Sequence, residues 1–262
     1  MIFDHTSEAY KKKYEALSAA GKHNGAYYYS IEIVKNIIPN VVTDRSWITV
    51  NSRGHGANHS IVFIHNNLHP ENYEWLKSFN DVVLVCGVPE TMDKVKRFGH
   101  PIYLPLSIDV DYVSGFKAEH QSGTAFVGRP AKRRMPGVKL PQNIECIEGI
   151  DRADALAKMA QYKNIYAVGR SAIEARCLGC NILTYDPRYP DASIWRVIDN
   201  KEAAGMLQSI LDEIDGRSTD SASNAPSMAW LKADMIEYAK EHGVFVDKRD
   251  SKAMILNKIK RC

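Results

Sequence analysis

Two arginines and a glutamate are the residues whose type and spacing could do chemistry here. Arg129 ends the apolar run "TAFVGRP", Arg170 ends "NIYAVGR", and a helical pattern then carries Glu174 one turn on. A guanidinium presents a planar fork of donors that can hold phosphate oxygens in pairs. Two such forks converging on one crevice suit a diphosphate, and a carboxylate one turn further on suits the hydroxyls of a ribose. The alternative is that both arginines pair with surface acids and Glu174 is a solvated helix residue, as most charged side chains are.

A parallel sheet is what would position them. An open sheet of this kind binds ligands beyond the carboxyl ends of its strands, where loop amides and helix starts favour anions. The runs ending at Arg129 and Arg170 read as two such strands bracketing a helical segment, with "NILTYD" as a later strand. Upstream, "SWITVN", "IVFIHNN", "DVVLVCG" and "PIYLPLSI" read as buried strands, and "PENYEWLKSF" and "PETMDKVKRFG" as helices between them. Such alternation predicts an α/β fold with parallel sheets and crossover helices.

The block from Thr124 to Asp186 resembles the nucleotide-binding half of GT-B glycosyltransferases. The resemblance lies with the large retaining family marked by a "VGR" strand end and a "G-x-x-x-x-E-A-x-x-x-G" helix. Gly128 and Arg129 match the first element; Gly169, Glu174, Ala175 and Gly179 match the second. The resemblance implies a pair of compact Rossmann-like domains: residues 1–115 on the acceptor side and 116–217 binding a nucleotide-sugar, with a UDP-sugar as donor. It implies that Gly128, Arg129, Lys132 and Arg133 meet the diphosphate, that Gly169, Arg170 and Ser171 line the second loop, and that Glu174 holds the ribose. The family usually has another Glu eight residues before that one, and here the position is Tyr166. No tightly bound cofactor and no metal is expected, because cationic side chains generally stabilise the leaving diphosphate in such enzymes.

Acceptor-side candidates lie in the first half. "GKHNGAYYYSIEIVKNIIP" joins a Gly-bearing loop, Tyr27 to Tyr29 and an amphipathic helix, and alternating burial makes at least one of those tyrosines core. Tyr27 and Tyr28 are candidates to stack on a ring, and His55 lies in the polar loop "NSRGHGANHS". His65 ends a strand, where an imidazole can act as general base toward a hydroxyl, with Asp109 behind it; a satisfied structural His and a structural Asp are the competing readings.

Composition bounds these readings. The chain has 262 residues, 45% of them hydrophobic, enough for one large domain or two small ones. No apolar run approaches the ~20 residues that span a bilayer, and the start lacks a signal-peptide core, so no membrane insertion is expected. The five cysteines have no disulfide-framework spacing, which points to a reducing cytoplasm, that of a bacterial host if the gene is phage-borne. Cys177 and Cys180 stand without a second ligand pair and read as small buried residues rather than a zinc site.

The tail is a unit of its own. Residues 218–226 read as a polar linker, and 227–262 as two helices around an extended link, with Leu231, Met235, Ile236 and Ala239 on one apolar face and Ala253, Ile255, Leu256 and Ile259 on the other. The pattern resembles SAP and HeH/LEM-like modules, many of which bind DNA. From Ser227 onward eight Lys or Arg face five Asp or Glu, so the whole net charge of +3 resides there. Lys248, Arg249, Lys252, Lys258 and Lys260 can meet phosphates of double-stranded DNA, or can form a solvated or partner-docking face.

Joined, these features point to a glycosyltransferase that moves a sugar from a nucleotide-diphosphate donor to the hydroxyl of a hydroxymethylated pyrimidine in DNA, as bacteriophage DNA glycosyltransferases do. An envelope or capsule glycan transferase is the second expectation, and a non-catalytic DNA- or nucleotide-binding protein the third.

Overall fold

A computed structural model describes residues 2–3, 29–30, 32–48, 56–64, 70–216, 232–241, 246–247, 250–252, 255 and 258. Among them the strands form two all-parallel sheets. The first runs β1 (Ile2–Phe3), β2 (Ser46–Ile48), β3 (Ser60–Ile64), β4 (Val82–Cys86), β5 (His100–Tyr103), in that spatial order. The second contains β6 (Thr124–Val127), β7 (Glu145–Ile147), β8 (Asn164–Tyr166) and β9 (Asn181–Leu183), in the order β7-β6-β8-β9. The α/β expectation with parallel sheets is met.

Burial explains the first sheet. Every residue of β3 and β4 is buried, as apolar strands covered on both faces must be. On one face Ile48, Val62, Ile64, Leu84 and Cys86 pack beneath Leu76, Val95 and Phe98 from the crossover segments. On the other, Trp47, Ile61, Phe63, Val83 and Val85 enter a core that continues through Ala125, Phe126 and Ile165 of the second sheet. A single apolar interior therefore serves both sheets.

Several elements differ from the sequence expectation. Pro70–Ser78 winds as 3-10 turns rather than an α-helix, and Ile33–Ile37 adopts the wider π form. The stretch read as helical between β6 and β8 instead comprises the short helix Pro130–Arg133, strand β7 and the helix Arg152–Met159. β7 is an edge strand in which only Ile147 is buried, so it offers no apolar run to read. β1, two residues in its described extent, is likewise not legible as a strand.

Two polar clusters tie distant segments together. In the first, Glu32 Oε1 accepts from Arg170 Nη2 at 2.5 Å and from Arg152 Nη1 at 3.2 Å. Glu174 Oε1 accepts from Arg170 Nε at 2.9 Å and from Arg152 Nε at 3.1 Å. Asn36 and Asn200 each donate to Glu32 Oε2 at 2.7 Å, and Ser107 Oγ donates to Asn200 at 2.8 Å. Burial would raise the Glu32 carboxyl pKa, but Arg170, Arg152 and the two amides outweigh it and hold it below the usual carboxylate range. Two cations and two anions thus neutralise one another where both halves of the chain meet.

The second cluster sits at the amino ends of the first sheet's strands. Arg45, Ser46's predecessor, donates through Nε and Nη2 to Asp215 at 2.9 and 2.6 Å and through Nη1 to Asp81 at 3.0 Å. Asp81 in turn contacts His59 Nδ1 at 2.5 Å, and His59 Nε2 reaches Asp44 at 3.2 Å. His59 and Asp81 both have left-handed backbone, with φ of 52° and 53°. Hydrogen bonds to Asp81 and Asp44 raise the His59 pKa. Asp215 follows the helix Asn200–Ile214, so this helix end is fastened across to the first sheet.

In the tail, the helix Lys232–Glu241 buries Met235 against Ile255, with Ile236 and Val246 alongside, as the apolar pattern predicts. Lys252 Nζ lies 5.5 Å from the centre of the Tyr103 ring, at the end of β5. Among the described residues no helix is long and apolar enough to cross a membrane.

Two outcomes follow. Arg170→Met leaves two buried carboxylates short of a cation, and urea unfolding should show a loss of about 3–5 kcal/mol, the scale for breaking a buried pair from one side. His59→Asn keeps a residue that tolerates positive φ but removes the titrating ring. Because the folded-state pKa is raised, the His59 contribution is complete below about pH 6.5 and fades as pH rises through the folded value. Melting curves of the two proteins should therefore differ most on the acid side of that window and converge at alkaline pH.

Candidate functional site

The second sheet is built outward from β6, first to β7 on one side and then to β8 on the other. The crevice beyond the carboxyl ends of β6 and β8 is thus a topological switch point, where open parallel sheets receive ligands. Gly128 follows β6, and a side chain there would meet the Phe126 ring, with an added Cβ 2.8 Å from Cζ. Close packing against that ring therefore calls for glycine here. Gly169, after β8, has φ of +66° with nothing near an added Cβ, so conformation alone calls for glycine at the start of the helix Arg170–Cys177.

The charge at this edge is uneven. Arg129 is exposed at the start of the helix Pro130–Arg133, and Lys132 is half-buried in it. Neither makes a hydrogen bond or ion pair among the described residues. Asp186, buried just past β9, is engaged by Arg188 through Nε at 2.8 Å and Nη2 at 2.5 Å. Burial, and then the neighbouring Arg129 and Arg188, lower the Lys132 pKa to about 8, with Asp186 opposing in part. Three cations therefore share one carboxylate, and the surplus positive charge has no counter-ion within the described protein. Such a site favours an anion of more than one charge.

Glu32 and Tyr29 bring the first sheet to the same place. The Tyr29 hydroxyl approaches Gly87, just past β4, to 3.9 Å from where its Cβ would lie. Three residues on, Glu32 binds Arg170, just past β8. One helical turn, about 5 Å of rise, therefore touches the carboxyl edges of both sheets. Tyr29 joins the core, which meets the expectation that at least one tyrosine of the triplet does so.

The predicted site residues divide accordingly. Gly128, Arg129 and Lys132 come together, whereas Arg133 donates to Glu148 at 2.8 Å. Arg170 does not converge with Arg129 as a free second fork: its guanidinium serves Glu32 and Glu174, leaving only Nη1 buried without a partner. Glu174 is neither solvated nor open, since it is 6% exposed and its Oε1 serves Arg170 and Arg152. Ser171 lies half-buried in the first turn of that helix. Asp109 caps the helix Val110–Ser114 by accepting from the Tyr112 amide at 2.9 Å, a structural use of its carboxylate. Lys258 is paired with Asp250 at 2.6 Å and Lys252 faces Tyr103, so both have partners within the chain. His55, His65, Tyr27, Tyr28, Lys248, Arg249 and Lys260 lie outside the described residues, as does the 218–226 linker.

Arg188 and Asp186 escaped the sequence reading. Their signal was "YDPRYP" directly after a strand, where a turn returns an arginine onto the aspartate two residues before it. Among the described residues no group of three His, Cys, Asp or Glu side chains is arranged to hold a metal ion. Cys177 and Cys180 are buried, with Cys180 Sγ donating to the Met159 carbonyl at 3.5 Å and its thiol pushed up by burial to about 11. Set against known proteins, the chain matches no family model, no curated protein and no solved structure.

Proposed function

We propose that this protein is a glycosyltransferase of GT-B type that holds a nucleotide-diphosphate sugar over the cations Arg129, Lys132 and Arg188. The observation carrying this reading is the surplus of positive charge at a parallel-sheet switch point, where exposed Arg129 and half-buried Lys132 have no ion-pair partner among the described residues. Glycosyl transfer develops negative charge on the departing diphosphate. Preorganised cations stabilise that charge without having to reorganise during the reaction. A UDP-sugar is the proposed donor, and His65 the proposed base toward the acceptor hydroxyl.

The proposed acceptor is the hydroxymethyl group of a modified pyrimidine in double-stranded DNA. The tail supplies the support, because it carries the chain's net positive charge and its Lys252 meets Tyr103 at the carboxyl end of β5. That contact lies on the sheet proposed to serve the acceptor. A second reading, a nucleotide-binding protein that performs no transfer, draws on the enclosure of Glu174 within the ion cluster. Hydrolysis or transfer of a UDP-sugar separates the two.

Arg129→Ala and Lys132→Met should each weaken UDP binding by about 1–3 kcal/mol, the scale of a lost charged hydrogen bond. Calorimetry that gave wild-type affinity for both variants would remove the donor-site assignment. Lys132 adds a pH signature. A bound phosphate favours the ammonium, so affinity should hold below about pH 8 and decline above it, with proton uptake near that pH. Lys132→Arg should abolish the step. For the tail, deletion of residues 227–262 should lower DNA affinity and flatten its dependence on salt, since each lost phosphate contact removes about 0.9 from the log–log slope. Superimposed salt curves for the full-length and shortened proteins would detach DNA from the proposal.

A further inference from the structure

We infer that Glu148 is the carboxylate that accepts hydrogen bonds from the sugar hydroxyls of the bound nucleotide. The inference rests on the donor-site reading above and adds a binding residue to it. Glu148 directly follows β7, and the pairing of Val127 with Ile147 brings it up beside Gly128 at the mouth of the crevice. Its Oε1 accepts from Arg133 at 2.8 Å, whereas Oε2 is buried and has no hydrogen-bond partner. A carboxylate oxygen in that position is costly unless something donates to it.

The surroundings specify the donor. Arg129, Lys132 and Arg188 already make this edge cationic, so an ammonium or guanidinium on the ligand would be repelled. Neutral hydroxyls attached to an anion suit both parts of the edge at once. Neighbouring strands lie about 4.8 Å apart, so a diphosphate over Gly128 and Arg129 would set its attached pentose or hexose within reach of Glu148. Two other buried atoms without partners belong to the same carboxyl edge: Arg170 Nη1 after β8 and the Tyr185 hydroxyl after β9. Glu174, the carboxylate that the motif nominates for this task, has its Oε1 engaged by two arginines.

The test is calorimetric titration of the full-length protein with inorganic pyrophosphate, UDP, 2′-deoxy-UDP and UDP-glucose. Wild type, Glu148→Ala and the near-isosteric Glu148→Gln are compared, with circular dichroism to verify folding. If the ribose is the partner, wild type prefers UDP over 2′-deoxy-UDP. Both variants then lose about tenfold in UDP affinity, on the scale of one charge-assisted hydrogen bond, while pyrophosphate affinity stays within about twofold. If the transferred sugar is the partner, the loss appears for UDP-glucose and not for UDP. Folded variants that bind all four ligands like wild type overturn the inference. So does a parallel loss of pyrophosphate binding, which would make Glu148 a support for the cations alone. Wild type that binds pyrophosphate but none of the three nucleotides more tightly leaves the anion site standing and removes Glu148's role. Wild type that binds none of the four removes the donor-site reading and this inference with it.

Discussion

The mutual neutralisation of Glu32, Glu174, Arg152 and Arg170 is the constraint on which the rest of the molecule depends. These four charges come from a helical turn before β2, the start of the helix after β7 and the helix after β8. Each is largely withdrawn from water, so none is tolerable without the others. Satisfying them fixes how the carboxyl edges of the two sheets face each other. Asn200 and Ser107 extend the same requirement to the helix Asn200–Ile214 and to the segment after β5.

Against that neutral centre, the neighbouring loops stand out by their imbalance. The protein uses two arginines of similar sequence setting in opposite ways. Arg170 is compensated and enclosed, whereas Arg129 is exposed and uncompensated beside Lys132. Burial, with Arg129 and Arg188 nearby, makes the Lys132 ammonium costly, and Asp186 offsets that in part. The charges that organise the fold and the uncompensated charges at Arg129 and Lys132 are therefore distinct sets.

Much of the fold was legible because its central strands are continuous apolar runs. β3, β4 and β6 are buried on both faces, and such strands announce themselves in sequence. β7 did not, being a short edge strand with Glu145 exposed. The glycines at 128 and 169 and the free Arg129 were readable from their position after strands. The fate of Glu174 was not, because it is decided by Glu32, which lies 142 positions earlier and meets it only through shared arginines. Local motif and distant compensation gave different answers at that residue. Asp186 and Arg188 lie close in sequence, but their meaning depends on Lys132, which tertiary structure brings alongside.

The Arg45 cluster bears on the order in which the polypeptide is made. Arg45 is almost wholly buried and donates two of its hydrogen bonds to Asp215, 170 residues later. During vectorial synthesis the first sheet emerges from the ribosome long before that carboxylate exists. Its lower rim must then hold a guanidinium only partly answered, by Asp81, until the helix ending near Asp215 arrives. The amino-terminal half is accordingly a provisional structure, completed only when the last helix before the tail closes beneath it, and a nascent chain stalled before that point would expose an unfinished edge to chaperones or to other strands.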